Sequence, residues 1–363
     1  VPGYGLGAPQ TPAPSTVETL PDGSVRLSSA ALSVLVAPDG TVGSIIDAAT
    51  GRELIAEGGR GNLLQVFVDA PAKWDAWELD RSMHLATADL TDGSVRVDGG
   101  AVVVERAFGA STLTQRLALD DTGGALRIET DVDWHERHRL LKLAFAFDVH
   151  ATDAAYETSF GHVRRATHTN TSWDAARYES CAHRYVHVGE PGFGVAVVND
   201  AIYGHDVTRD SVDGRLVTTV RQSLLRAPTF PDPDADQGRH RFVTLVAPAP
   251  TVLEASRWGA VVGSPARAVV GGESPAPLVM LEGGSARLSA VKLADDRSGD
   301  VVVRVYEAQG ARTEATLRVS FPVAGACEAD LVETPGGDVA LDGDSLALTL
   351  RPFEVRTLRL RRR

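Results

Sequence analysis

Leu141-Lys142-Leu143-Ala144-Phe145-Ala146-Phe147 carries a large apolar side chain at every second position. Successive side chains of an extended chain point to opposite faces, so Leu141, Leu143, Phe145 and Phe147 share one face and predict a half-buried strand. The same period of two runs outward in both directions. Upstream, Leu32, Val34 and Val36 alternate before a turn at Asp39-Gly40. Val95 and Val97 lead into Asp98-Gly99-Gly100, after which Val102 and Val104 resume. Leu113, Leu117 and Leu119 lie on one face with Gln115 between them, Asp121 to Gly124 turns the chain, and Leu126 and Ile128 continue. Downstream, Val301, Val303 and Val305 alternate, as do Leu317, Val319 and Phe321, and Leu346, Leu348 and Leu350 after Asp342-Gly343. Many short strands joined by Gly-rich turns predict an all-β protein built of sandwiches.

Three segments break that pattern. Residues 1–15 hold four prolines and three glycines and read as an extended linker. Thr251 to Val262 places Val252, Leu253, Ala255, Trp258 and Val262 at roughly helical spacing, with Pro265 following, and predicts a short helix. Gly271 to Pro277 (GGESPAP) reads as a second linker. The expected organisation is therefore a linker over 1–15, a large β-sandwich over 16–270 that ends in a helix, and a small β-sandwich over 271–363.

The 363 residues carry a formal net charge of −12. An acidic surface repels nucleic acid and anionic membrane, so neither is expected as a partner. The basic end Arg359-Leu360-Arg361-Arg362-Arg363 is short and reads as a solvated terminus. Cys181 and Cys327 lie far apart in segments expected to be separate domains, which argues against a disulfide and for a reducing compartment, the cytoplasm. No apolar run approaches the length of a membrane-spanning helix. No charged start precedes an apolar run, so no signal peptide is expected. The opening Val1-Pro2-Gly3-Tyr4-Gly5, without Met, suggests a fragment of something longer. Asn170-Thr171-Ser172 matches a glycosylation sequon, a triplet common by chance.

Polar and aromatic residues concentrate in residues 156–241. His162, His168, His183, His187, His205 and His240 are there, with Trp173, Tyr178, Tyr185 and Tyr203 among them. Four readings stay open. On a strand, His183, Tyr185 and His187 would share a face near Cys181, as a metal site would need, although zinc takes three or four convergent ligands. Glu179 with His183 or His205 would suit acid–base chemistry on a sugar. Aromatic faces with Asp, Asn, Arg and His around them would suit sugar contact. Alternatively, these side chains bond strands and domains to one another. No phosphate-binding loop, dinucleotide glycine fingerprint, G-x-S-x-G elbow or H-E-x-x-H occurs. A glycosidase carboxylate pair is defined by its separation in space and cannot be located by counting.

The stretch from Glu157 to Val207, ETSFGHVRRATHTNTSWDAARYESCAHRYVHVGEPGFGVAVVNDAIYGHDV, resembles the C-terminal region of glycoside hydrolase family 38 α-mannosidases. Ser223-Leu224-Leu225-Arg226-Ala227-Pro228, Pro231-Asp232-Pro233 and Asp236-Gln237-Gly238-Arg239-His240 are similar to the next block of that family. Asp69 to Asp80 (DAPAKWDAWELD) and Asp133-Trp134-His135-Glu136, followed by Leu141-Lys142, resemble upstream signatures. Leu288 to Lys292, Arg304-Val305-Tyr306-Glu307 and Pro352 to Thr357 match at the end. The resemblance covers nearly everything after residue 16.

The resemblance implies a large sandwich related in fold to galactose mutarotase, followed by a smaller β-sandwich. It implies a parent enzyme that hydrolyses terminal α-mannosidic bonds with retention of configuration. The Asp nucleophile and a divalent ion, usually zinc, would sit in an N-terminal α/β barrel followed by a helical bundle. Both are absent from this chain, so no catalytic or metal-binding residue and no cofactor is expected here. The expected partners are that barrel and bundle and α-mannoside glycans, and a homo-oligomer is left open. In the family, loops of the large sandwich help close the sugar site. Asp236, Gln237, Arg239 and His240 are the leading candidates for contact with substrate or barrel, because Gly amid charged residues after a Pro-rich approach suits an exposed functional loop. Arg239 would fork to sugar hydroxyls or to a barrel carboxylate. Asp75, Trp77, His205 and Asp206 are further candidates, Asp75 and Trp77 on the structural or interfacial side. A stand-alone carbohydrate-binding module and a mutarotase-like epimerase are the alternatives.

Overall fold

The structure, a computed structural model, describes residues 3–4, 11–80, 87–212, 214–264 and 277–363. The chain divides into two compact units, one of residues 11–157 with 163–265 and the other of residues 1–10, 158–162 and 266–363. Of the linker expected over 271–277, all but Pro277 lies outside the described residues. Of residues 1–15, Gly3–Tyr4 is extended and pairs with Met280 and Val279.

Among the described residues the first unit holds three sheets. In the six-stranded sheet the order is Ser180–Cys181, Gly204–Val212, Arg215–Arg226, Arg139–Phe147, Leu63–Val68 and Thr87–Leu90, each antiparallel to its neighbours. The middle of the nine-stranded sheet runs Phe193–Asn199, Gly238–Pro248, Leu126–Trp134, Ser111–Leu119 and Ala101–Phe108. A five-stranded sheet covers Thr16–Thr19 to Arg52–Glu53. One apolar core joins the three. Leu141, Leu143, Phe145 and Phe147 enter it from the six-stranded sheet, Leu113, Leu117, Leu126 and Ile128 from the nine-stranded sheet, and Val34, Val36 and Ile45 from the five-stranded sheet. The Phe145 and Phe147 rings stack with centroids 5.9 Å apart.

The expected alternation is present, but Arg139–Phe147 is not half-exposed. Leu140 and Lys142, on its other face, are also fully buried. The strand is central in its sheet and its outer face is covered too, so period-two patterning understated its burial.

The predicted helix forms as Val252–Gly263. Thr251 starts it through a capping box. Its hydroxyl accepts from the Glu254 amide, and Glu254 returns a carboxylate to the Thr251 amide, which satisfies donors that a helix start leaves open. Val252 and Ala255 bury against Ala196, Val198, Leu245 and Ala247 on the second face of the nine-stranded sheet. Among the described residues no helix is long and apolar enough to cross a membrane.

Gln115, read as sitting among apolar neighbours, lies in the core with a complete set of partners. Its amide pairs reciprocally with Asn62, at 2.8 and 3.0 Å, and its carbonyl also accepts from Arg106 at 3.2 Å. Arg106 reaches on to the carbonyls of Leu90 and Asp39. Buried amides and charges are tolerated only when paired in this way.

The second unit is a smaller sandwich. Gly3–Tyr4, Val279–Glu282, Thr313–Val319 and Ser345–Leu350 form one sheet, and Ala286–Leu293, Val301–Glu307, Val355–Arg362, Val323–Ala329 and Pro335–Val339 the other. Val303, Val305, Leu317, Leu346, Leu348, Leu358 and Leu360 make its core. The basic end is solvated at Arg361, Arg362 and Arg363, as expected, but not at Arg359 and Leu360. It belongs to Val355–Arg362, an interior strand whose Leu358 and Leu360 face the core. Arg359, on the opposite face, is buried between Asp296, Ser298 and Asp300.

Replacing Gln115 with Leu adds an apolar side chain to an apolar core yet strands Asn62 and Arg106. Urea unfolding should show a loss of about 2 kcal/mol or more, the cost of unsatisfied buried polar groups. An unchanged midpoint would show that the network carries no net stability.

Candidate functional site

Two connections cross between the large sheets at one end of the first unit. Leu126–Trp134 leaves the nine-stranded sheet, and residues 135–138 lead into Arg139–Phe147 of the six-stranded sheet. Arg215–Arg226 leaves the six-stranded sheet, and residues 227–237 lead into Gly238–Pro248 of the nine-stranded sheet. Register brings the two crossings together, because Trp134 pairs with Gly238 and Leu140 with Arg226. A third segment, residues 69–80, leaves Leu63–Val68 beside them, where Val68 pairs with Arg139. Three loops therefore share one end.

Arg226 holds the third loop. Its guanidinium grips the buried Asp69 carboxylate through Nε and Nη2 and donates to three carbonyls of the same loop, those of Asp75 (2.9 Å), Ala76 (3.2 Å) and Glu78 (2.7 Å). A planar fork with five donors suits this task, which an ammonium would fulfil less completely. Asp75 braces the loop from the other side. Its carboxylate accepts from the amides of Thr229 (2.6 Å) and Phe230 (3.1 Å), and His138 Nδ1 lies 3.5 Å away. Burial opposes ionisation of Asp75, but the Thr229 amide, His138 and the Phe230 amide outweigh it and hold the carboxyl below its usual range.

What these braces present to water is aromatic. Trp74, Trp77 and Phe230 are 61%, 64% and 60% exposed. Trp77 meets Trp74 edge-to-face at 6.4 Å and Phe230 at 6.5 Å. Trp74 has φ of +58°, a strained conformation for a bulky residue, held where its carbonyl accepts from the Trp77 and Glu78 amides.

The leading sequence candidates lie at this same end. Asp236 has φ of +58° and Gly238 +105°, so the charged run makes a tight left-handed turn before the strand. Gln237 donates to the Glu136 carbonyl at 2.7 Å, and His240 bonds the Asp236 carbonyl at 2.8 Å, so both side chains shape the turn. Arg239 points outward, 88% exposed and 3.9 Å from Asp133. Arg137 ties the Pro233 carbonyl and the Asp234 carboxylate. Of the further candidates, Asp75 is the staple and Trp77 the middle ring. Sequence reading passed over Arg226, Trp74 and Phe230, although Arg226 and Trp74 stand inside quoted blocks.

His205 and Asp206 lie elsewhere, on Gly204–Val212, and their side chains part to opposite faces. Asp206 joins a charged network on the outer face of the six-stranded sheet. Lys142, fully buried, donates to Asp206 at 2.6 Å and to Glu179 at 2.7 Å. Arg221 donates to Asp206 at 2.8 Å and to Gln65 at 2.9 Å, and Ser223 donates to Glu179. Burial disfavours the Asp206 carboxylate, but Lys142 and Arg221 prevail and lower its pKa. Beside this network Arg60, Gln65, Asp89, Ala144 and Arg221 line a shallow cleft of about 280 Å³.

His205 is enclosed in the core, its ring nitrogens 3.1 Å from the Tyr203 carbonyl and 3.4 Å from Asn199 Nδ2. Burial pushes its pKa down to about 4, so it is neutral.

The remaining polar residues of 156–241 disperse. The strand starts at Tyr185, so His183 precedes it, with its ring against Tyr203. His187 is buried on the Ala249 carbonyl at 2.8 Å. Cys181 is a free, exposed thiol. Among the described residues no three His, Cys, Asp or Glu side chains are grouped to hold a metal ion. Glu179 is engaged by Lys142 and Ser223, and His205 is sealed from solvent, so this pair is not set up for acid–base chemistry on a sugar. Trp173 is 85% exposed on the short helix Ser172–Ala175, and Thr171 of the sequon caps that helix.

A family model described as the glycosyl hydrolases family 38 C-terminal domain matches residues 27–234. A second, the family 38 C-terminal beta sandwich domain, matches residues 285–358. The chain is 37% identical to Alpha-mannosidase 2C1 of Homo sapiens, over 97% of this chain and 35% of that protein. It is 28% identical to Alpha-mannosidase of Saccharomyces cerevisiae, over 93% of this chain and 35% of that protein. The chain thus spans about a third of the length of these curated relatives. An alpha-mannosidase from Enterococcus faecalis shares the fold, with a TM-score of 0.71 at 14% identity over 92% of this chain and 42% of that one.

Two outcomes follow from the geometry. Arg226→Met leaves Asp69 buried and unpaired. It should lower stability by about 3 kcal/mol and speed amide hydrogen exchange across residues 70–80, read by mass spectrometry. The second concerns pH. Unfolded His205 takes a proton below its ordinary value of 6.5, whereas the folded residue resists until about 4. Its contribution, of order 3 kcal/mol, is complete above pH 6.5 and is lost progressively as pH falls from there to about 4. Melting temperature against pH should fall less steeply over that window in His205→Gln than in the unaltered protein.

Proposed function

The chain belongs to glycoside hydrolase family 38, as that family's C-terminal β-sandwich region, and from that premise we propose that it is the accessory half of a retaining α-mannosidase. In this reading it supports a catalytic barrel and helical bundle of the parent enzyme. The end that carries residues 69–80, 135–138 and 227–237 faces the barrel and forms an outer wall of the site for terminal α-mannosides. The observation that carries the reading is the braced three-loop end. Hydrogen bonds from Arg226 and to Asp75 fix loops whose exposed side chains, Trp74, Trp77, Phe230 and Arg239, have no role in the core. Rigid presentation of such groups is what a binding wall needs.

Arg239 is assigned the polar contact, forking to sugar hydroxyls or to a barrel carboxylate, with Asp236 and Gln237 setting the turn that aims it. A zinc or other divalent ion belongs, in this reading, to the catalytic portion. No group of three or more His, Cys, Asp or Glu side chains among the described residues is placed to hold it. Two free thiols fit a reducing compartment, and on that basis we assign the protein to the cytoplasm.

The test is turnover of an aryl α-mannoside by the purified chain, with added zinc and with chelator. No turnover is expected in either condition. Robust activity abolished by the chelator would overturn the accessory reading. When the chain is joined to a family 38 catalytic portion, Arg239→Ala should lower kcat/KM about tenfold, the value of one charge-assisted contact.

A further inference from the structure

We infer that His205 and Asn199 form a proton-sensitive latch, which holds residues 200–203 closed while the His205 ring is neutral and releases them when the ring takes a second proton.

The latch is built across one tight connection. Asn199 ends the strand Phe193–Asn199 of the nine-stranded sheet, and His205 stands at the start of Gly204–Val212 in the six-stranded sheet. Both side chains are fully buried, and Ile202 between them packs into the core. The Ile202 amide donates to Asn199 Oδ1 at 2.6 Å. That donor needs an acceptor, so the oxygen of the Asn199 side chain is taken there and its NH2 group faces the other way. It faces His205 Nε2 at 3.4 Å. An NH2 group offers only donors, so Nε2 is the unprotonated, accepting nitrogen of the ring. The ring proton then sits on Nδ1, which donates to the Tyr203 carbonyl at 3.1 Å. One tautomer of the neutral imidazole satisfies all three bonds.

A second proton is poorly accommodated. It would go to Nε2 and set an N–H against the Asn199 NH2 group. Asn199 can turn its oxygen to the ring only by giving up the Ile202 amide, the bond that closes the connection. Gln222, in register with His205, offers no relief, because its oxygen already accepts from Thr244 at 2.7 Å. Burial is the largest influence on the ring and pushes its pKa down to about 4. The Tyr203 carbonyl, Glu179 and Asp206 favour a second proton and Lys142 opposes it, but both carboxylates are engaged by Lys142. Asp200, on the connection itself, accepts from the Val243 amide at 3.0 Å.

The surroundings allow a local opening. Ser180–Cys181, which pairs with His205 and Gly204, is the edge strand of its sheet. The Tyr203 carbonyl also accepts from the Ala182 amide at 3.0 Å, so that edge loosens with the connection. Segments at a sheet edge open at lower free energy than a central strand such as Arg139–Phe147.

Opening returns His205 to its ordinary value of 6.5. The contribution to closure is complete above that value and is lost as pH falls towards about 4. Between about pH 7 and about pH 4.5 the open population should therefore rise about fiftyfold. Hydrogen exchange of the whole chain, read by mass spectrometry and corrected for the intrinsic pH dependence of exchange, should show it. Protection of residues 199–204 should fall by that factor and stay below that of Arg139–Phe147 throughout. Asn199→Asp keeps an oxygen on the Ile202 amide and offers a second one to a protonated Nε2. Its protection over the same range should change by about twofold or less. Nitrogen NMR of the ring, with His205 identified by the signals missing in His205→Gln, should show Nε2 unprotonated at neutral pH.

Three results would each overturn the latch. The first is protection at residues 199–204 equal to that of Arg139–Phe147 at every pH, which means that the segment opens only with the whole unit. The second is the proton on Nε2 at neutral pH. The third is an acid loss in folded Asn199→Asp as large as in the unaltered chain. If Asn199→Asp fails to fold, exchange and ring tautomer in the unaltered chain still decide the matter.

Discussion

The Arg226–Asp69 pair is the interaction on which the arrangement of the three-loop end depends. Asp69 is almost fully buried, and a carboxylate in that position is destabilising unless it is paired and hydrogen-bonded. Arg226 meets that requirement and has donors left over. Those reach the carbonyls of residues 75, 76 and 78, so the group that neutralises Asp69 also organises the tryptophan loop. Asp75, at the turn of that loop, can then accept from the 229–230 amides and fasten the second loop to the first. The pair stands where it does because Leu140 is in register with Arg226 and Val68 with Arg139. Sheet register, set by which apolar face must enter the core, thereby decides where the aromatic rings emerge.

The six-stranded sheet both supplies the core and positions the loop end. Its inner face supplies Leu141, Leu143, Phe145 and Phe147 to the core. Its outer face begins at the loop end with Phe67 and Leu140, packed by Leu79 and Tyr178, and continues into the Lys142, Asp206, Glu179 and Arg221 network. Leu79 belongs to the tryptophan loop, so the covering of this face and the positioning of the rings are one packing problem. The buried ions are satisfied on several sides, the condition under which a charged network fixes one arrangement rather than several. His205 lies on the opposite face of the strand that carries Asp206. Adjacent residues of a strand point apart, which makes one a neutral core side chain and the other an ion-pair partner.

Part of the three-loop end is legible in the sequence. A glycine among charges after a proline-rich approach marks Asp236, Gln237, Arg239 and His240, and the structure puts them at a turn and the start of the following strand, beside the crossing loops. Asp75 and Trp77 were picked out with a structural or interfacial emphasis, and Asp75 is the staple. Arg226 escaped notice because it reads as an ordinary strand-end arginine, and only its five donors in space reveal the clamp. Trp74 and Phe230 escaped because they are more than 150 positions apart, and nothing local announces that they flank one ring. Lys142 was hidden by its own strand, where alternation with Leu141 and Leu143 suggests a solvent face that is in fact covered. The histidine-rich segment misled in the opposite direction. Six histidines close in sequence spread to a core, an edge and a turn, because alternation and hairpin turns separate sequence neighbours.

The amino-acid sequence by itself determined the all-β class, the alternating core face of each strand, the helix after Thr251 and the family resemblance. These depend on period, capping chemistry and long matched blocks, all of which are local or linear. The tertiary structure alone decided that residues 69–80, 135–138 and 227–237 share one end, that Arg226 and Asp75 brace them, and that Trp74, Trp77 and Phe230 touch. The physical reason is register. Antiparallel pairing brings residues from distant strands to the same height, and that pairing is settled by the burial of whole faces, which no short stretch of sequence contains.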